Sequence, residues 1–366
     1  MLILCATVSP VASLQKLFQH FDRFGAAYKA AAYDVTLVPP IVAECYTLLN
    51  AAARPEPYNS ITRKLSSGKT VEKKYSVFAD RKSDELSRPF RPLLFIAEVD
   101  RWFDEWNEML GTIDRGSRTM SYERTDIVLY SACTAFFAVI DLFMRSARKR
   151  NGTFFEWLLG TLLHETTGFP MRAHIAILST VEAGEAIKGE EGGSVPTDIV
   201  LDQGEGRYKL VFPSKISTRE RINQIFTHQR ILDIEFPGQY RSALLGVSEC
   251  QLLKGKGTVQ ETCVPTQVSF NEKYVAHIDA LYYLDPPFAY IDDAITVPVR
   301  RISDLFALDL AAMTLEAERE AIELCNAVVS TVRCNRPKHT VGEHRFDPPR
   351  GSLIASASLS PGDVAD

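Results

Sequence analysis

Two residues of opposite charge, Asp198 and Lys215, stand seventeen positions apart around a predicted strand–turn–strand unit. Asp198 opens an apolar run ending at Leu201, Gly204 and Gly206 mark a turn, and a second apolar run leads through Pro213 and Ser214 to Lys215. A helical pattern then starts at Ser217 or Thr218. Such a hairpin brings one carboxylate and one ammonium to the same sheet edge. A carboxylate there can hold a divalent cation, and the lysine can orient or deprotonate a water beside it. That combination suits hydrolysis of a phosphodiester.

Further candidates flank the pair. Glu156 lies on an amphipathic helix predicted over Thr153 to Glu165 and is the candidate additional carboxylate, with Glu165 and Glu220 competing for the role. Arg219 and Arg221 carry guanidinium forks that match phosphate oxygens. Gln224, His228 and Gln229 lie along the same predicted helix and have side chains able to hydrogen-bond base edges. From Arg207 to Arg230 six basic residues face one acidic residue, although the whole chain has a net charge of −5. An acidic protein can still meet a polyanion if its basic residues gather on one face.

At these residues a resemblance enters. The run from Pro196 to Arg230 resembles the catalytic core of PD-(D/E)XK superfamily nucleases, in particular type II restriction endonucleases. In those enzymes the active-site strand leads into a Lys-x-x-x-(Lys/Arg)-(Asp/Glu)-Arg-x-x-Gln helix. Here that element reads Lys215, Arg219, Glu220, Arg221 and Gln224, and the Pro-Asp half reads Pro196, Thr197, Asp198, with one residue inserted. The segment from Arg150 to Glu156 looks like the first core helix of the superfamily, whose glutamate points at the same site. The resemblance covers roughly residues 150 to 290 and departs at one position: Pro213 stands where an acid is usual, two before the lysine.

The resemblance implies an α/β fold with a mixed central sheet flanked by helices, and a mostly helical N-terminal region. It implies Mg2+-dependent, site-specific cleavage of double-stranded DNA, with Asp198, Glu156 and Ser214, through its hydroxyl or a nearby backbone carbonyl, around the metal. Lys215 would orient the attacking water, and a cognate DNA methyltransferase would complete the system. Two sites are needed to cut a palindrome, so a homodimer is expected. A repair or mobile-element nuclease, or a DNA-binding protein that has lost catalysis on the same fold, are the alternatives.

Other motifs fail on inspection. Ser67 to Thr70 ends like a phosphate-binding loop, but Arg63 stands where its first glycine must be. His164 and Glu165 begin like a zinc-protease helix without the second histidine. Seven scattered cysteines without Cys-x-x-Cys spacing fit reduced thiols and a cytoplasmic setting.

The 366 residues, 46% hydrophobic and 24% charged, suit a globular chain with a large core. Three parts are expected: a helical DNA-binding or dimerisation region over 1–148, a nuclease domain over 149–335 and a disordered tail over 336–366. Pro39 and Pro40 interrupt two predicted N-terminal helices, and residues 54 to 91 read as a basic loop region with a strand or two. Ile127 to Met144 approaches membrane-spanning length but contains Asp141, and it is read as a buried core helix rather than a membrane segment. Val264 to Phe270 reads as a strand or short helix, and Ser303 to Val332 as one long helix capped by Ser303.

Overall fold

The structure, a computed structural model, describes residues 10–114, 122–176, 194–253, 258–292 and 295–313. The expected tail and most of the predicted C-terminal helix lie outside them. The chain begins with α1 (Pro10–Lys29) and α2 (Val38–Ala52). Pro39 and Pro40 do not break a helix here; they start α2, where a missing N–H costs no intrahelical bond. The basic region forms a long antiparallel hairpin, β1 (Ala53–Lys64) and β2 (Thr70–Asp80).

Next come α3 (Val99–Asp114), α4 (Tyr122–Phe143) and α5 (Lys149–Thr167). α3 buries Trp102 and Trp106, which stack at 5.3 Å because residues four apart share a helix face. α4 is long and apolar enough to cross a membrane, yet protein covers most of it. Its Asp141 is buried but answered by the Arg88 guanidinium, which donates to both carboxylate oxygens at 2.8 and 3.1 Å. A buried charge persists only with such a partner.

The rest of the chain builds a mixed sheet. Its strands are β3 (Met171–Ala176), β4 (Ser194–Leu201), β5 (Lys209–Phe212), β6 (Ser214–Lys215) and, after α6 (Ile222–Glu235), β7 (Tyr240–Gly246). A small hairpin, β8 (Cys250–Leu253) and β9 (Thr258–Glu261), and α7 (Pro265–Tyr274) precede β10 (Ala280–Tyr283), α8 (Phe288–Asp292) and β11 (Val299–Arg301). The order is β11-β10-β7-β5-β4-β3, with β6 also on β7. β3, β4 and β5 run antiparallel; β5, β6, β10 and β11 join through parallel pairs around β7 and β10.

Three expectations are revised. Asp198 does not open a strand; it sits inside β4, where the register against β3 shifts between Arg172 and His174. Val264 to Phe270 is mostly the helix α7, with Pro265 in its first turn. Ser303 is not a cap: Arg301 occupies that place, and the Ser303 amide and hydroxyl both donate to buried Asp126, at 3.0 and 2.6 Å.

One buried core, from Leu17 to Met313, runs from α1 and α4 through the sheet. α5 packs on both β4 and β6, so the helix carrying Glu156 lies over the strands that carry Asp198 and Lys215.

Candidate active site

The β4–β5 ladder pairs Ile199 with Phe212, Val200 with Val211 and Leu201 with Leu210. Extended by one step, it sets Asp198 across from Pro213, which has no N–H to give, so the ladder ends there. The chain then leaves β4 and joins β7: the Leu245 amide donates to the Pro213 carbonyl at 2.9 Å, and Lys215 registers with Gly246. Freed from pairing, the Asp198 side chain takes the next amide instead. Ser214 N–H donates to Asp198 Oδ2 at 2.7 Å, and Lys215 Nζ donates to the same oxygen at 2.5 Å. Both side chains stay partly open to solvent, at 18% for Lys215 and 26% for Asp198.

Glu156 completes the cluster. Burial, and then the facing Asp198 carboxylate, push its carboxyl up to about 7, and the Lys215 ammonium offsets only part of this. Two carboxylates held together with incomplete compensation are the electrostatic condition that a divalent cation relieves. The donors are hard oxygens, which fits Mg2+ with several retained waters. Among the described residues no group of three or more His, Cys, Asp or Glu gathers. A cation here would therefore draw on the two carboxylates, a backbone oxygen and water.

Ser214 serves this site differently from the expectation. Adjacent strand residues point to opposite faces, so its hydroxyl turns away from the Lys215 face; it is buried without a hydrogen-bond partner. Within a strand, however, a residue's N–H and C=O point to the same edge, so its carbonyl lies on the edge where its amide meets Asp198. The oxygen available from Ser214 is that backbone carbonyl.

The other candidates separate. Glu165 is exposed, nine residues and hence two and a half turns beyond Glu156, on the far side of α5. The Glu220 side chain lies outside the described residues. Arg219 begins a short 3-10 turn with φ +40, and Arg221 is exposed, with its Nη2 donating to the Ser217 carbonyl at 2.8 Å. Buried Glu249 fixes this turn by accepting from the Thr218 amide and hydroxyl at 2.8 and 2.7 Å. Gln224 is exposed on α6.

His228 faces inward, toward the Asp198–Lys215 pair. Burial and Lys215 lower its pKa and Asp198 raises it. Gln229 is corrected outright. It is 3% exposed, its amide donates to Asp233 and the Tyr240 carbonyl, and it accepts from Ser242, so it ties α6 to β7 and cannot reach a base.

Two groups escaped the sequence reading. Tyr28, at the end of α1, lies close enough to Glu156 and Asp198 that both carboxylates oppose its ionisation. Lys73 of β2, only 1% exposed, donates to Asp285 at 2.9 Å, and Arg91 donates to the same oxygen at 2.9 Å, locking the hairpin to the sheet. Neither has a local signal, because each depends on a partner more than a hundred positions away.

The fold is that of the type II restriction endonucleases, on a PD-(D/E)XK-type mixed sheet flanked by helices. Among solved structures the chain matches the Type IIP restriction endonuclease Kpn2I with a TM-score of 0.68 and 26% identity, over 82% of this chain and 98% of that one. The restriction endonuclease PspGI, in complex with substrate DNA, aligns at a TM-score of 0.35 and 15% identity over 59% and 91%, too loosely to bear on the site. No family model matches the sequence, and no curated protein matches it.

Proposed function

We propose that this protein is a Mg2+-dependent, sequence-specific endonuclease that cuts double-stranded DNA, acting as a homodimeric type II restriction enzyme. The observation that carries the reading is Lys215 Nζ at 2.5 Å from Asp198 Oδ2, on the strands of a restriction-endonuclease fold, with Glu156 facing the pair.

Asp198 and Glu156 would hold the cation with the Ser214 carbonyl. Bound there, Mg2+ supplies Lewis acidity and lowers the pKa of a coordinated water. Lys215 is placed to leave Asp198, orient that water in line with the phosphorus and offset the developing negative charge. Arg219 and Arg221 extend from the turn that Glu249 anchors and would meet phosphate oxygens, with Gln224 reading a base edge. A palindromic target requires a second copy of the site, hence the dimer. A methyltransferase protecting the same sequence would be the partner of a restriction system.

The direct test is incubation of purified protein with unmodified plasmid and Mg2+, beside Asp198→Ala and Lys215→Ala. Discrete fragments from the wild type and none from either variant support the reading; equal nicking by all three removes it. Pro213 in place of an acid favours a second reading, a DNA-binding protein without catalysis. Calorimetry with Mg2+ or Mn2+ separates the two, since a dead site should bind neither.

A further inference from the structure

α1 and α5 meet through a reciprocal pair of glycines. A methyl group on Gly25 of α1 would stand 2.2 Å from the Trp157 ring of α5, and one on Gly160 of α5 would stand 2.4 Å from the Tyr28 hydroxyl oxygen of α1. Each helix thus inserts an aromatic side chain where the other lacks a Cβ, which allows the close approach. Trp157 is held by Phe21, stacked at 5.0 Å, and by Phe24, edge-on at 6.0 Å. The Tyr28 ring lies 5.9 Å from Trp157 and meets Tyr33 edge-on at 5.4 Å, and Tyr33 lies 4.5 Å from the His164 ring. Such packing leaves the Tyr28 ring little freedom, so the position of its hydroxyl is dictated by the helix crossing.

That position matters because Gly160 lies one helical turn after Glu156. Residues four apart share a helix face with Cβ atoms about 5–6 Å apart, and helix side chains lean toward the N-terminus. The Tyr28 hydroxyl fills the space a Gly160 side chain would occupy, leaning toward Glu156. The electrostatics agree: after burial, Glu156 is the largest influence opposing ionisation of the phenol, with Asp198 also contributing. The group therefore stays an O–H donor. Among the described residues the hydroxyl makes no hydrogen bond, so its proton is available.

We propose that Tyr28 is a positioning residue of the cation site: its hydroxyl, seated over Gly160, donates to the Glu156 carboxylate and turns it toward Asp198. Hydrogen bonds of this kind orient metal-binding carboxylates, and losing one typically weakens metal affinity about 10–100-fold. The first helix of the N-terminal region would thereby be part of the cation site.

This rests on the reading of Asp198 and Glu156 as that site, and Mn2+ titration without DNA tests it apart from cleavage. Tyr28→Phe keeps the ring and removes the donor, and its thermal unfolding should match the wild type. Expected are Mn2+ binding weaker by about ten-fold, a similar fall in kcat with the KM for DNA nearly unchanged, and no further weakening of Mn2+ binding when added to Glu156→Gln. Wild-type Mn2+ affinity in Tyr28→Phe, a loss confined to KM, or the same loss recurring in Glu156→Gln overturns the proposal while leaving the nuclease reading intact. A wild-type protein that binds no Mn2+ overturns both.

Discussion

Asp198 faces Pro213 across the β4–β5 ladder, so the residue that departs from the superfamily pattern is the one that frees the catalytic aspartate from strand pairing. Proline supplies no ligand here. It ends one ladder and lets the following two residues join β7, which delivers the Ser214 amide and the Lys215 ammonium to Asp198. Pro213→Ala should therefore keep metal-dependent cleavage within about ten-fold, while relaxing the unfolded chain lowers stability by about 0.5–1 kcal/mol. Cleavage rates and urea midpoints of the variant check both expectations; a dead but folded Pro213→Ala would show that the ring itself is needed for catalysis.

The Glu156 carboxyl gives the metal-free protein a specific pH dependence. Burial and Asp198 raise it from 4.5 to about 7 in the folded state, so between those values the native protein holds a proton that the unfolded chain releases. Stability is fully present below about 4.5 and is lost as pH rises through about 7, by roughly 2–3 kcal/mol if the whole shift is expressed. Glu156→Gln should abolish this component. Urea unfolding in chelator from pH 5 to 8 should show the variant gaining on the wild type as pH rises. Parallel curves would show that Glu156 does not titrate in this window.

Lys73 and Asp285 form a second ionic pair, buried far more deeply than the first. Lys73 and Arg91 hold the Asp285 carboxyl below the usual range despite complete burial. Lys73→Met would leave that charge with Arg91 alone, and removing one partner of a buried pair costs about 3–5 kcal/mol. The expected result is a large drop in the urea midpoint, with catalysis retained by whatever fraction remains folded. A shift below about 1 kcal/mol would place this pair with surface ion pairs in energetic terms.

Gln229 and Arg221 should part company although eight positions separate them on one segment. Gln229→Ala strips buried hydrogen-bond partners from Asp233, Tyr240 and Ser242, at a cost of about 1–3 kcal/mol, with sequence preference unchanged. Arg221→Ala should leave stability within about 0.5 kcal/mol and weaken DNA binding, with a shallower salt dependence. Unfolding curves set beside DNA-binding titrations at two salt concentrations separate the roles; a Gln229→Ala protein with altered cleavage specificity would reverse this assignment.

Much of the site was legible in the chain because its parts are local. Asp198, the glycine turn and Lys215 form one hairpin-like unit, and alternation of apolar residues along it is enough to place a carboxylate and an ammonium at one edge. The apolar pattern of α4 likewise marked a core helix, since Asp141 inside it required a partner that the packed protein provides in Arg88. Helical periodicity alone could not tell which side of α6 meets the sheet, so Gln229 and Gln224 looked alike until β7 supplied Tyr240 and Ser242. Nor could it show that Pro213 marks the exchange of β4 for β7, because that depends on which strand lies alongside. Tyr28 and Lys73 reach Glu156 and Asp285 only after distant segments pack, and no short window of sequence holds both partners of either contact.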